Sequence, residues 1–153
     1  MKRRAFLAIP AAAAAAGFPA LARAAAPVLA PVTVYKSPEC GCCGKWVEHL
    51  QGNGFRVTVH AVPSTTPWRV KAGVPVELGS CHTAFVGDYV VEGHVPAADI
   101  KRLLAARPRA KGLAVPRMPA TAPGMDAPHG PAWDVLLIAS DGTTRVFNSY
   151  PAL

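Results

Sequence analysis

Hydrophobic and polar positions alternate along Val32-Thr33-Val34-Tyr35, a β-branched run that predicts a strand from Val32 to Lys36, closed by Pro38 because proline cannot continue a ladder. Trp46, Val47 and Leu50 recur at helical spacing and predict a helix over Lys45 to Gln51, stopped at Gly52-Asn53-Gly54. Phe55, Val57, Val59 and Ala61 alternate with Arg56, Thr58 and His60, the pattern of a second strand half buried on one face. Ser64-Thr65-Thr66-Pro67 offers N-cap residues and a first-turn proline for a short helix to about Ala72. Val74 to Ser80 has no clear period. His82 to Val86 and Tyr89 to Val91 are apolar runs joined by Gly87-Asp88, which predicts a hairpin. Pro96 opens a helix with Ile100, Leu103 and Leu104 on one stripe, stopped at Pro108. The order β-α-β, short helix, β-β-α is that of a thioredoxin-like α/β domain over residues 31–108.

From Arg109 to Pro131 the composition shifts to proline, glycine and alanine, with Met118 and Met125 among them, and this predicts a long loop. Trp133 to Ala139, Asp141-Gly142 and Thr143 to Phe147 then predict a β-hairpin. Residues 109–153 are therefore expected to be a C-terminal extension on the same domain, a Pro/Gly/Met flap plus a hairpin. No internal repeat is present.

The first 24 residues change how charge is read. Lys2-Arg3-Arg4, an alanine-rich apolar stretch to Leu21 and Ala22-Arg23-Ala24 form a secretory signal peptide pattern with cleavage after Ala24, and Arg3-Arg4-Ala5-Phe6-Leu7 also resembles a twin-arginine export signal. The apolar stretch is too short, and too interrupted by Pro10, Gly17 and Pro19, for a membrane span. Four of the 16 basic residues and none of the 9 acidic ones lie in this leader, so the remaining chain carries +3 rather than +7. That removes the support for a nucleic-acid partner. Lys101, Arg102, Arg107, Arg109 and Lys111 are then a solvated helix face. The expected location is the periplasm, with no membrane attachment after cleavage.

Chemistry concentrates at Cys40-Gly41-Cys42-Cys43, three of the four cysteines, between the first strand and the first helix. Unpaired backbone N–H groups and the helix dipole at such a terminus favour thiolate, which is both nucleophile and metal ligand. Two structural disulfides do not suit this spacing, because adjacent Cys42 and Cys43 cannot each staple distant segments and their mutual bridge would be strained. Cys40 and Cys43 form a C-x-x-C pair suited to thiol-disulfide exchange, with Cys40 attacking and Cys43 resolving, but the thiol of Cys42 between them offers competing disulfides and suits a metal better. Cys81-His82 precedes the third strand, where the fold would bring it opposite the cysteine turn. His94, Met118 and Met125 complete the candidate set. Thiolate and thioether favour Cu(I), and the single crowded cysteine run favours copper over zinc. Adjacent cysteines can bridge two ions, so a site with more than one copper is expected. His49 and His60 are expected at the surface, His129 is undecided, and Glu39 is placed to tune the neighbouring thiol.

Five ordered stretches carry a resemblance: Tyr35 to Trp46 with its C-x-C-C run, Ser80 to Ala84, Glu92 to Leu104, Lys111 to Pro119, and Pro123-Gly124-Met125. Together they resemble the CopG-like family, exported C-x-C-C proteins associated with bacterial copper resistance. The resemblance implies a thioredoxin-like domain whose C-terminal extension helps bind metal, and copper held by Cys40, Cys42, Cys43 and Cys81. It extends metal roles to His82, His94, Met118 and Met125, and implies interconversion of Cu(I) and Cu(II) and periplasmic efflux or chaperone proteins as partners. Arg117 departs from the glycine that relatives often carry before the methionine. The alternatives are a thiol-disulfide oxidoreductase using Cys40 and Cys43, and a passive copper chaperone or buffer.

Overall fold

A computed structural model describes residues 29–153. The leader pattern of residues 1–24 therefore lies outside the described residues. Seven strands form one mixed sheet in the order β2-β1-β3-β4-β5-β6-β7. β1 (Val32–Lys36) leads through α1 (Gly41–Gly52) to β2 (Val57–Ala61), which pairs parallel to β1 at one edge. After α2 (Thr66–Lys71) and a single 3-10 turn at Val76–Leu78 come β3 (His82–Val86), antiparallel to β1, and β4 (Tyr89–Glu92), antiparallel to β3. α3 (Ala97–Ala106) crosses to β5 (Ala110–Ala114), parallel to β4, and β6 (Trp133–Ala139) and β7 (Thr144–Tyr150) extend the sheet antiparallel to the other edge.

α1 and α3 pack on the same core. Trp46, Val47 and Leu50 from α1 and Ala97, Ile100 and Leu103 from α3 meet Val32, Val34, Ala84, Val86, Val91 and Leu113 of the strands. A second, smaller cluster is built on Val74, Leu78, Val90, Ala114 and Ile138. Because side chains alternate across a strand, Val90 and Glu92 leave the face that Val91 occupies, and Thr83 leaves the face of His82 and Ala84.

Three features differ from the expectations. β5 occupies what composition marked as the start of the loop. Ala110-Lys111-Gly112-Leu113-Ala114 has little strand propensity, yet it is hydrogen-bonded on both sides, and a Cβ on Gly112 would overlap the Val90 carbonyl. The boundary drawn at 108/109 thus falls between α3 and a strand inside the sheet. α1 begins at Gly41 rather than Lys45, so the cysteine run lies in the helix, with Cys40 at its N-cap. β2 is an edge strand with Val59 44% exposed, so its alternation does not bury one face as expected.

His49, expected at the surface, is half-buried, and its Nε2 accepts a hydrogen bond from the Ala97 N–H at 3.1 Å. It thereby satisfies one of the unpaired donors of the first turn of α3. His49→Ala is expected to cost about 1 kcal/mol, the worth of an N-terminal cap, in urea unfolding. An unchanged midpoint would show that water replaces the imidazole at no cost. His60 is exposed and stacked on Tyr35, and His129 is exposed.

Candidate metal centre

The centre forms where the N-terminus of α1 faces the start of β3. Cys40 is the N-cap residue, Cys42 and Cys43 lie in the first turn, and Trp46 anchors the helix by donating from Nε1 to the Val95 carbonyl at 2.9 Å. Helical geometry turns Cys43 inward, fully buried, while Cys42 stays half-buried and Gly41 faces solvent. Cys40 and Cys43 are joined as a disulfide, and Cys42 and Cys81 are free thiols. The Cys42 sulfur lies 3.5 Å from that of Cys40, and the Cys43 sulfur is 3.9 Å from the Cys81 carbonyl.

From the other side, the Cys81 sulfur is 3.3 Å from His94 Nε2 and 3.6 Å from His82 Nδ1. His94 Nδ1 is 2.7 Å from the Pro123 carbonyl. A carbonyl only accepts, so Nδ1 carries the proton and the Nε2 lone pair faces the thiol, the orientation of a metal-ligating histidine. His82 is fully buried and tilted over Trp46 with ring centroids 4.2 Å apart. Its Nε2 is the one buried side-chain nitrogen or oxygen without a partner among the described residues. An orphaned polar atom of this kind costs stability.

Two overlapping donor sets result. The sulfurs of Cys40, Cys42, Cys43 and Cys81 lie within 4.8 Å of one another, and so do the donor atoms of Cys43, Cys81, His82 and His94. Cys43 and Cys81 belong to both. Soft sulfur with imidazole fits Cu(I) or Zn by donor chemistry. While Cys40 and Cys43 are bonded to each other they cannot serve as thiolates. Adding two electrons and two protons breaks that bond and returns two thiols to the set.

The electrostatics favour neutral groups. Burial, with Cys42 beside it, pushes the Cys81 thiol up to about 11. Burial and the neighbouring His94 push His82 down to about 3, and burial lowers His94 as well. A cation bound beside Cys81 would favour its thiolate and release the thiol proton, while the two imidazoles would ligate in the neutral form they already hold.

The loop over residues 115–132 closes on this region. Gly124, at φ +85, sits so near the first turn of α1 that an added Cβ would lie 2.7 Å from the Trp46 nitrogen and 2.9 Å from the Cys42 carbonyl. Lys45 and Asp126 form an ion pair across the same contact. Met125 follows Gly124 and is half-buried, whereas Met118 is 39% exposed. Arg117, at φ +62, adopts the left-handed conformation that glycine takes without strain, a physical reason for glycine at that position. Glu39 is exposed, and its amide donates to Ser37 Oγ at 3.3 Å.

The residues that sequence reasoning missed lie behind the centre. Glu92 is fully buried and accepts from Arg69 Nε at 2.9 Å, the Ser80 N–H at 2.7 Å and Thr83 Oγ1 at 2.7 Å. A carboxylate at the end of an apolar strand, Tyr89 to Glu92, was the available signal.

Residues 78–125 match the family described as "Protein of unknown function, DUF411". No curated protein matches the chain. Two solved structures, titled "Copper resistance protein copG- Form 1" and "Form 2", are each 40% identical to this chain with a TM-score of 0.76. The match covers 80% of this chain and 98% and 99% of theirs. At that identity, over nearly the full length of both structures, the chain belongs to the CopG family of copper resistance proteins.

Proposed function

We propose that this protein binds copper in the periplasm as part of copper resistance, holding Cu(I) on thiolates at a site redox-active between Cu(I) and Cu(II), where closing the Cys40–Cys43 disulfide would release two protons and give two electrons to two Cu(II). The observation that carries the reading is the convergence of four cysteine sulfurs and two buried imidazoles within two overlapping donor sets. Cys43 and Cys81, common to both, suit bridging, so the site is proposed to take more than one copper. Residues 31–108 are taken as a thioredoxin-like unit, on the support of the β1-α1-β2 crossover and the following β3-β4-α3 order. Residues 109–153 are its extension, with the loop carrying Met118 and Met125 as a flap over the cysteine site. The basic, alanine-rich leader supports export, and no helix among the described residues is long and apolar enough to cross a membrane. Efflux or chaperone proteins are the proposed exchange partners.

A second reading is favoured by the Cys40–Cys43 disulfide: a thiol-disulfide oxidoreductase, with metal incidental. Cys42→Ser separates the two. The copper reading expects at least a tenfold loss of Cu(I) affinity by chelator competition, with exchange of the Cys40–Cys43 pair against a small dithiol unchanged or faster. Unchanged affinity would favour the oxidoreductase.

A further inference from the structure

The carboxylate of Glu92 and the guanidinium of Arg69 form a buried ion pair, with side chains 0% and 14% exposed, on the sheet face opposite Trp46 and His82. Neither residue belongs to either donor set. Removing such a pair from water is expensive, and well-packed apolar residues at the same place are often as stable, so stability alone is a weak account of it.

The partners of the pair say what it holds. Glu92 Oε1 takes both Arg69 Nε and the Ser80 N–H, and Oε2 takes the Thr83 hydroxyl. Arg69 Nη2 donates in turn to the Ser80 carbonyl at 2.7 Å and to Thr65 Oγ1 at 3.1 Å. Both backbone polar groups of Ser80 are thus fixed, as is the side chain of Thr83. These are the residues immediately before and after Cys81-His82. On the other side of Glu92, the Gly93 N–H donates to the His82 carbonyl at 3.2 Å, and His94 follows. Gly93, at φ +74, lets the strand pass so close that an added Cβ would lie 2.8 Å from Ser80 Oγ and 2.5 Å from the Val115 carbonyl. One buried pair therefore ties the segment carrying Cys81 and His82 to the segment carrying His94.

We propose that the Arg69–Glu92 pair is the positioning element of the centre, fixing Cys81 and His82 against His94 and Cys43 from behind the sheet. It acts through those ligands and does not touch the metal. The assignment rests on the copper reading only for its second readout below, because the first is made without metal.

The test uses the purified, reduced protein with Glu92→Ala, Glu92→Gln and Thr83→Val. In metal-free protein, alkylation of Cys81 by iodoacetamide is followed by peptide mass spectrometry, with Cys42 in the same molecule as reference. Glu92→Ala is expected to speed Cys81 alkylation about tenfold relative to Cys42, and to weaken Cu(I) binding by about 10 to 100-fold, the range found for residues that orient ligands. Glu92→Gln should stay within about 1.5-fold of the parent in both, because its amide oxygen still serves Ser80 and Arg69 and its nitrogen can donate to Thr83. In a Cys81→Ala background the effect of Glu92→Ala on Cu(I) should shrink to a few-fold, since of the ligands the pair orients only His82 and His94 remain. Unchanged Cys81 alkylation in Glu92→Ala, or a copper effect that persists in full without Cys81, would overturn the assignment. Should Glu92→Ala fail to fold, Thr83→Val removes one donor without opening a cavity; it should speed alkylation about threefold, and no change would overturn the assignment. If the parent protein retains no Cu(I), the copper reading falls while the alkylation rates still decide the positioning role.

Discussion

Cys81→Ala is expected to weaken Cu(I) binding by the reduced protein about 100-fold. Structural four-ligand zinc sites in peptides are worth ~10–16 kcal/mol, so one ligand contributes ~3 kcal/mol, or about two factors of ten. Cys81 should lie at the upper end of such losses because it belongs to both donor sets and lies 3.3 Å from His94 and 3.6 Å from His82. Its half-buried side chain also makes the truncation mild for the fold. Met118→Ala provides the contrast. With 39% of Met118 exposed on the loop, its loss is expected to change affinity less than about threefold. Chelator competition under anaerobic conditions measures both. Equal losses in the two variants would move the centre of binding from the sheet to the loop.

The metal-free protein is expected to lose stability on mild acidification. His82 in the fold resists protonation until about pH 3, whereas an unfolded histidine takes its proton near 6.5. Between those values the unfolded state binds more protons, so falling pH favours unfolding, and His82 alone should remove about 2 kcal/mol between pH 7 and pH 5. His94 and His49 are lowered by burial and act in the same direction. Glu92 acts in the opposite sense: burial raises it, so the folded state takes the proton first and gains stability as pH falls through its folded value. Urea midpoints at pH 7 and pH 5 test this, and an unchanged midpoint would contradict a buried neutral His82.

The sequence made some parts of this arrangement legible and hid others for physical reasons. Val32 to Tyr35 and Trp46-Val47-Leu50 are local patterns that announce β1 and the buried face of α1, whereas the cysteine run, read as a turn, is the first turn of the helix itself. The placement of Cys81-His82 opposite the cysteines follows from the order of elements, because β3 lies next to β1 in the sheet. β5 was hidden because its residues are poor strand formers and only its neighbours make it a strand. Periodicity could not reveal the Arg69–Glu92 pair, which joins two residues 23 apart through a carboxylate at a strand end. His49 was hidden in the same way, since its partner Ala97 is 48 residues away.

The measurement that bears most directly on the whole account is copper per chain by elemental analysis after anaerobic Cu(I) loading of the reduced protein and removal of unbound metal. More than one copper should be retained per chain. No retained copper, together with a Cys40–Cys43 pair that exchanges freely with a small dithiol, would contradict it and leave a thiol-disulfide oxidoreductase.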